Sequence, residues 1–90
     1  MHYIYILKSI KDGKYYTGFS SDLKSRIKDH RLGHVQSTKN RRPLELIYYE
    51  AYKEKSQALR REKFLKTTKG KLQLKKQLTA YLPAELLQKV

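Results

Sequence analysis

Two charged side chains and an imidazole stand where this chain's helical periodicity calls for apolar residues. Arg26 and His30 lie four residues apart inside the stripe that Leu23 and Ile27 define, and Glu62 lies between Ala58 and Leu65 on a second stripe. A solvated charge belongs opposite an apolar stripe, not within it. An acid so placed must be paired, protonated or bound to a cation, because an isolated buried charge is strongly destabilising. A tyrosine-rich N-terminus adds the phenols of Tyr5 and Tyr16. These types suit phosphoryl chemistry. A forked, permanently charged guanidinium matches a pair of phosphate oxygens, a carboxylate holds a hard cation, and phenol or imidazole can exchange a proton. Two arrangements fit the spacing: a cleft in which all five converge, or an Arg26–Glu62 ion pair closing a small core.

The elements that must position these groups begin with a hairpin. Tyr3-Ile4-Tyr5-Ile6-Leu7 and Tyr15-Tyr16-Thr17-Gly18-Phe19 are rich in aromatic and β-branched residues, and Asp12-Gly13 between them is a strong turn signal. A two-residue loop there pairs Lys11 with Lys14 and Ser9 with Tyr16. Because side chains alternate between faces, Ile4, Ile6, Ile10, Tyr15 and Phe19 then form a core face, and Tyr3, Tyr5, Tyr16, Gly18 and Ser20 share the other. A slip of one residue would separate Tyr5 from Tyr16.

Ser20-Ser21-Asp22 supplies a cap for a helix from Leu23 to about Leu32, with Gly33 placed to end it. Residues 33–43 (GHVQSTKNRRP) form a basic loop carrying Lys39, Arg41 and Arg42, which reads equally as a solvated connection and as a set of phosphate contacts. Leu44 to Tyr52 reads as a third strand, buried over much of both faces. A second helix starts between Glu54 and Ser56 and runs to about Thr67, with Ala58, Leu59 and Leu65 on its apolar face and Arg60, Arg61 and Lys63 pointing outward. Gly70 separates it from a short third helix over Lys71 to Leu78, whose apolar residues include Leu72 and Leu78. Tyr81-Leu82-Pro83 breaks that helix, which sets residues 1–80 as one domain and 81–90 as a tail.

Charge narrows the partners. Against 8 acidic residues the chain sets 21 Lys and Arg, a formal net charge of +13 in 90 residues. Self-repulsion on that scale points to a polyanionic partner, nucleic acid first and an anionic membrane surface second. No apolar run approaches the ~20 residues of a membrane-spanning helix, and neither helix has the basic-versus-apolar split of an interfacial one. The N-terminus reads as a strand rather than a signal peptide, so the expectation is a cytoplasmic protein. The absence of cysteine excludes disulfides and thiolate metal sites. His30 and His34 are four apart, but Gly33 between them argues against a helical zinc pair, and no third ligand motif accompanies them.

Taken together, Tyr3-Ile4-Tyr5, ten intervening residues, then Tyr16-Thr17-Gly18 resembles the paired signature of the GIY-YIG endonuclease superfamily. Asp22-Leu23-x-x-Arg26-x-x-x-His30 is similar to that family's first helix, and Ala58-Leu59-Arg60-Arg61-Glu62-Lys63 to the helix bearing its metal-binding glutamate. The match is to the small stand-alone bacterial branch, related to the N-terminal nuclease domain of the excision-repair nucleases, and spans residues 2–70. The resemblance implies an α+β fold, a small three-stranded antiparallel sheet flanked by helices. It implies Tyr5, Tyr16, Arg26 and His30 as catalytic residues, with Tyr16 as the base, and Glu62 as the ligand of Mg²⁺ or Mn²⁺. The chain departs from the family pattern at Tyr3, which replaces a glycine, at Thr17, which replaces isoleucine, and at Phe19, where repair-type members carry lysine. The asparagine many members place beyond the glutamate has no counterpart except, weakly, Thr67 or Thr68. Two function classes follow. One is a metal-dependent endonuclease acting on DNA, in repair or recombination. The other is a nucleic-acid-binding module that keeps the fold without turnover. Completeness of the constellation favours the enzyme.

Overall fold

The computed structural model describes residues 1–79, so the expected break at Tyr81-Leu82-Pro83, the domain boundary at 80 and the tail lie outside the described residues. Three strands, β1 (His2–Ser9), β2 (Tyr15–Ser20) and β3 (Leu44–Tyr52), form one antiparallel sheet in the order β2-β1-β3. Helix α1 (Leu23–Arg31) follows β2, and α2 (Lys55–Leu65) and α3 (Thr68–Thr79) follow β3. A single 3₁₀ turn over Lys39–Arg41 shapes the loop between α1 and β3. This is the expected α+β arrangement.

The central strand is buried on both faces, and alternation divides its side chains between two cores. Ile4 and Ile6 pack with Ala58, Leu65 and Leu74 of α2 and α3, whereas Tyr5 and Leu7 pack with Ile27 of α1. The edge strand β3 covers less than expected. None of its residues is fully buried, because it has a strand neighbour on one side only. The register with β1 steps between Ile6–Tyr48 and Leu7–Leu46, leaving Ile47 as the extra residue of a bulge, so that Ile47 and Tyr48 both reach the Ile4 core.

The hairpin turn is longer than two residues. The Lys14 carbonyl accepts from Ser9 N–H and the Ser9 carbonyl from Gly13 N–H, while the Asp12 carboxylate accepts from Lys14 N–H. Gly13 takes the positive φ of 72° that this closure requires. The register therefore pairs Tyr5 with Gly18 and Leu7 with Tyr16, two residues from the expected pairing. An even shift preserves faces, so Tyr5 and Tyr16 stay together. It also puts Ile10 in the turn, where it is 56% exposed, and leaves Tyr15 45% exposed, so neither belongs to the core.

Helix α1 starts and ends as its sequence indicates. Asp22 caps it by accepting from Ser25 N–H, and Gly33, at φ +80°, closes it with bonds from Gly33 and His34 N–H to the His30 and Asp29 carbonyls. In α2, Ala58 and Leu65 are buried two turns apart, but Leu59 lies off that line and is 40% exposed. Arg61 points inward, not outward. Its guanidinium forms a fork on Glu50 at 3.0 and 3.1 Å, and the same carboxylate accepts from Tyr48 and Tyr52. That cluster fastens α2 to β3. Gly70 lies within the first turn of α3 rather than between helices, and a Cβ there would collide with the Phe64 carbonyl at the end of α2. Thr67 makes the junction, bonding the Phe64 carbonyl and accepting from Gly70 N–H. Leu78 packs on the core, whereas Leu72 is 59% exposed.

Candidate active site

The centre of the site is the Tyr5 phenol. Tyr5 is fully buried on the middle strand, opposite Gly18, and its ring lies where a Gly18 side chain would be. Glycine at 18 is thus a requirement of close approach, and it lets the hydroxyl extend across β2. There it stands 2.7 Å from Nε2 of His30 and accepts from Nε–H of Arg26 at 3.4 Å. Both partners come from α1, one turn apart on the face that packs against β1. The Tyr16 ring packs edge-on to the His30 imidazole at 5.3 Å between centroids and lies 6.4 Å from the Tyr5 ring. Four of the five expected residues are therefore joined by direct contacts.

The fifth is reached only through space. Helices α1 and α2 pack on opposite faces of the sheet, and Glu62 makes no hydrogen bond or ion pair with the other four. Glu62 is nevertheless near enough for its charge to raise the Tyr5 pKa. The carboxylate is 20% exposed, and Lys66 stands 3.5 Å from it. Arg26 bonds Tyr5 instead, so the Arg26–Glu62 ion pair does not form.

Burial sets the protonation states. His30 is fully buried, and burial, aided by the Arg26 charge and only partly opposed by Asp29, pushes its pKa down to about 4. The imidazole is neutral at pH 7. Burial pushes the Tyr5 phenol up despite the bond from Arg26, and that same bond raises the Arg26 pKa further. The buried proton chemistry thus belongs to a neutral Tyr5–His30 pair beside a fixed positive charge.

Thr38 is a member of this cluster that the sequence did not announce. Its side chain is fully buried, and Oγ1 lies 2.7 Å from Nδ1 of His30. It sits in a polar loop without periodicity, and no pattern distinguishes it from its neighbours. The other loop candidates divide. Arg41 bonds Asp12 and the Tyr15 carbonyl, and Arg42 bonds the carbonyls of Lys39 and Arg31, so both guanidinium groups fasten the loop. Lys39 is exposed, and its ammonium has no partner among the described residues. Beside the cluster, a groove of about 570 Å³ is lined by Tyr3, Lys24, Ile27, Arg31, Leu46 and Tyr49. Tyr3 meets Tyr49 edge-on at 6.1 Å along its wall.

The GIY-YIG catalytic domain model matches residues 1–77. The chain belongs to the GIY-YIG family. A UPF0213 protein of Staphylococcus saprophyticus is 47% identical over 75 residues, 82% of this chain and 90% of the relative. A UPF0213 protein of Staphylococcus aureus is 45% identical over 67 residues, 73% of this chain and 80% of the relative. The solution structure of a UPF0213 protein from Bacillus halodurans superposes with a TM-score of 0.51 at 39% identity, covering 81% of this chain and 80% of that one. Membership in this small GIY-YIG group supports a nuclease-type domain and a nucleic-acid substrate. Among the described residues no helix is long and apolar enough to cross a membrane.

Proposed function

We propose that this chain is a metal-dependent endonuclease that hydrolyses phosphodiester bonds in DNA. The observation that carries the reading is the buried contact set of Tyr5, Arg26 and His30, with Tyr16 packed against the same imidazole. Catalytic residues here are Tyr5, Tyr16, Arg26 and His30. Arg26 is fixed through Nε on Tyr5, which leaves its terminal nitrogens for the non-bridging oxygens of a phosphodiester. Tyr16, half-buried and beside a neutral imidazole, acts as base in its phenolate form, its own proton having passed to solvent. It takes the proton of the attacking water, whose oxygen bonds to phosphorus as the bond from phosphorus to the sugar oxygen breaks, and the leaving oxygen takes a proton from solvent. Tyr5 orders Arg26 and His30 around this point.

Glu62 is the residue that would hold Mg²⁺ or Mn²⁺. Among the described residues no group of three or more acidic or histidine side chains forms a closed cage. A single carboxylate near phenolic oxygen fits a hard cation that keeps most of its waters and takes further oxygens from phosphate. When bound, the cation supplies charge neutralisation at the phosphate and at the leaving oxygen. Lys39 contributes a backbone contact to DNA, Arg41 and Arg42 shape the loop that carries it, and the basic rim of the Tyr3–Tyr49 groove extends the same surface.

The test is cleavage of duplex, flap, branched and single-stranded DNA, as found in repair and recombination, with Mg²⁺ or Mn²⁺, against a chelator control and Arg26→Ala. Cleavage that needs the metal and is lost in Arg26→Ala is the expected outcome. DNA binding with no cleavage of any substrate would select the alternative, a nucleic-acid-binding module. One observation favours that alternative: the Thr67 hydroxyl, a weak stand-in for the family asparagine, is committed to the α2–α3 junction.

A further inference from the structure

Tyr15 and Thr17 flank Tyr16 on β2, and alternation turns them to the opposite face of the sheet, where Thr17 is the register partner of Ile6 in the α2–α3 core. With Leu65, Lys71 and Lys75 they line a cleft of about 440 Å³, to which Lys14, at the foot of the hairpin turn, adds a third lysine. Lys71 and Lys75 stand one turn apart on α3 beside Leu74, whose burial seats that face of the helix on the core. Like charges at this spacing disfavour a helix. Among the described residues no acidic side chain lines the cleft, and neither Lys14 nor Lys71 forms an ion pair. The groove beside Tyr3, by contrast, includes Asp22. Three ammonium groups around one concavity repel one another and favour an anion between them.

The cleft adjoins the candidate active site. Strand β2 lies at the sheet edge, and Tyr16 sits on it between two residues that line the cleft. Leu65, another lining residue, follows Glu62 by about one turn of α2. A strand whose phosphate meets Tyr16 and Glu62 need only round the edge of β2 to reach the lysines. Ammonium groups on flexible stems contact phosphates as point charges and carry no base readout. We propose that Lys14, Lys71 and Lys75 form a backbone subsite, which holds phosphates of the DNA strand to one side of the scissile bond and leads that strand around the edge of β2. The position of the scissile bond rests on the nuclease reading above. The contact of these lysines with DNA does not need turnover, and the two can be tested apart.

The full chain, ¹⁵N-labelled and held in a chelator so that no strand is cut, is titrated with a short DNA single strand and a short duplex. Amide shifts are expected at Lys14, Thr17, Lys71 and Lys75 together with those around Tyr16. Affinity across a salt series then compares wild type with the double variant Lys14→Gln, Lys71→Gln, whose log–log slope is expected to fall by about two. Lys53→Gln with Lys55→Gln, at the far end of α2 from Leu65, removes the same charge and is expected to lower the slope by less than half as much. With a divalent cation present, the cleft variant should raise KM and leave kcat near wild type. Shifts that spare Lys14, Lys71 and Lys75 overturn the proposal, as does an equal loss of slope in the two double variants. Should the chain bind DNA but cleave none, the endonuclease reading falls, while the shifts and slopes still decide the subsite. Should it bind no DNA, both fall. If the cleft variant does not fold, the wild-type shifts decide.

Discussion

Acidification should weaken this fold through His30, in a window the structure defines. The groups facing His30 are Tyr5 and Tyr16 from the sheet, Arg26 and Asp29 from its own helix, and Thr38 from the loop. Burial, then Arg26, holds its folded-state pKa near 4 against 6.5 for a free imidazole. Below pH 6.5 the unfolded chain therefore takes up a proton that the folded chain refuses until about pH 4. The stability contributed by neutral His30 is complete above pH 6.5 and is lost as pH falls through the window to about 4. A fall of that size corresponds to roughly 3 kcal/mol, a large share of the ~5–15 kcal/mol of a small domain. Urea unfolding of wild type and His30→Gln at several pH values from 4 to 8 isolates the effect. Glutamine shifts the whole curve by removing the ring contacts, but only the histidine chain should lose stability relative to it on acidification. A difference between the two that stays flat from pH 7 to 4.5, or an imidazole that titrates near 6.5 in the folded protein, refutes the reasoning.

Gly18→Ala should disrupt the site more than the fold. The added methyl occupies the place of the Tyr5 phenol, which must swing off His30 and Arg26, so a loss of about 1–3 kcal/mol in denaturation should accompany loss of cleavage. Glu62→Ala should abolish metal-dependent cleavage while melting within about 0.5 kcal/mol of wild type, because its ion-pair partner Lys66 is 56% exposed; early unfolding would instead mark Glu62 as structural. Duplex binding should weaken steeply with salt, and Lys39→Ala should lower the log–log slope by about one without unfolding the chain. Arg41→Ala should be felt first in thermal melts, since it breaks the bonds to Asp12 and Tyr15.

The strands, the first helix and the meeting of four candidate residues, Tyr5, Tyr16, Arg26 and His30, were legible because each rests on local pattern. Alternation placed Tyr5 and Tyr16 on one face, and the Asp22 and Gly33 caps bracketed α1. The hairpin register was not legible, because Asp12-Gly13 names a turn without saying how many residues it closes. The Asp12 carboxylate and Ser9 hydroxyl settle that by bonding backbone N–H groups. Arg61 misled for a related reason. Its partner Glu50 is eleven residues away on an edge strand, and the alternation Tyr48-Glu50-Tyr52 that assembles the acceptor is visible only once the strand's face is known. Glu62 lies on a half-buried helix face, as its periodicity indicates, but helical periodicity does not encode which side of the sheet that helix covers. Thr38 could not be found at all: its burial is a property of the loop's path over α1.

The charge distribution and the buried imidazole belong to one argument. A chain of net charge +13 favours any neighbouring phosphate and disfavours any further cation within it. Arg26 does locally what the surface does globally. In the proposed nuclease reading it meets the phosphate, and its field helps keep His30 unprotonated. Were His30 exposed, phosphate arriving at the site would favour its protonated form and remove a neutral hydrogen-bonding partner from Tyr5 when it is needed. Burial beneath Tyr5 and Tyr16, with Thr38 at the far nitrogen, penalises the protonated ring by desolvation and so keeps it neutral beside such a charge. The tight fit of Tyr5 over Gly18 follows from the same need, because a phenol displaced from the strand would open the His30 ring to water.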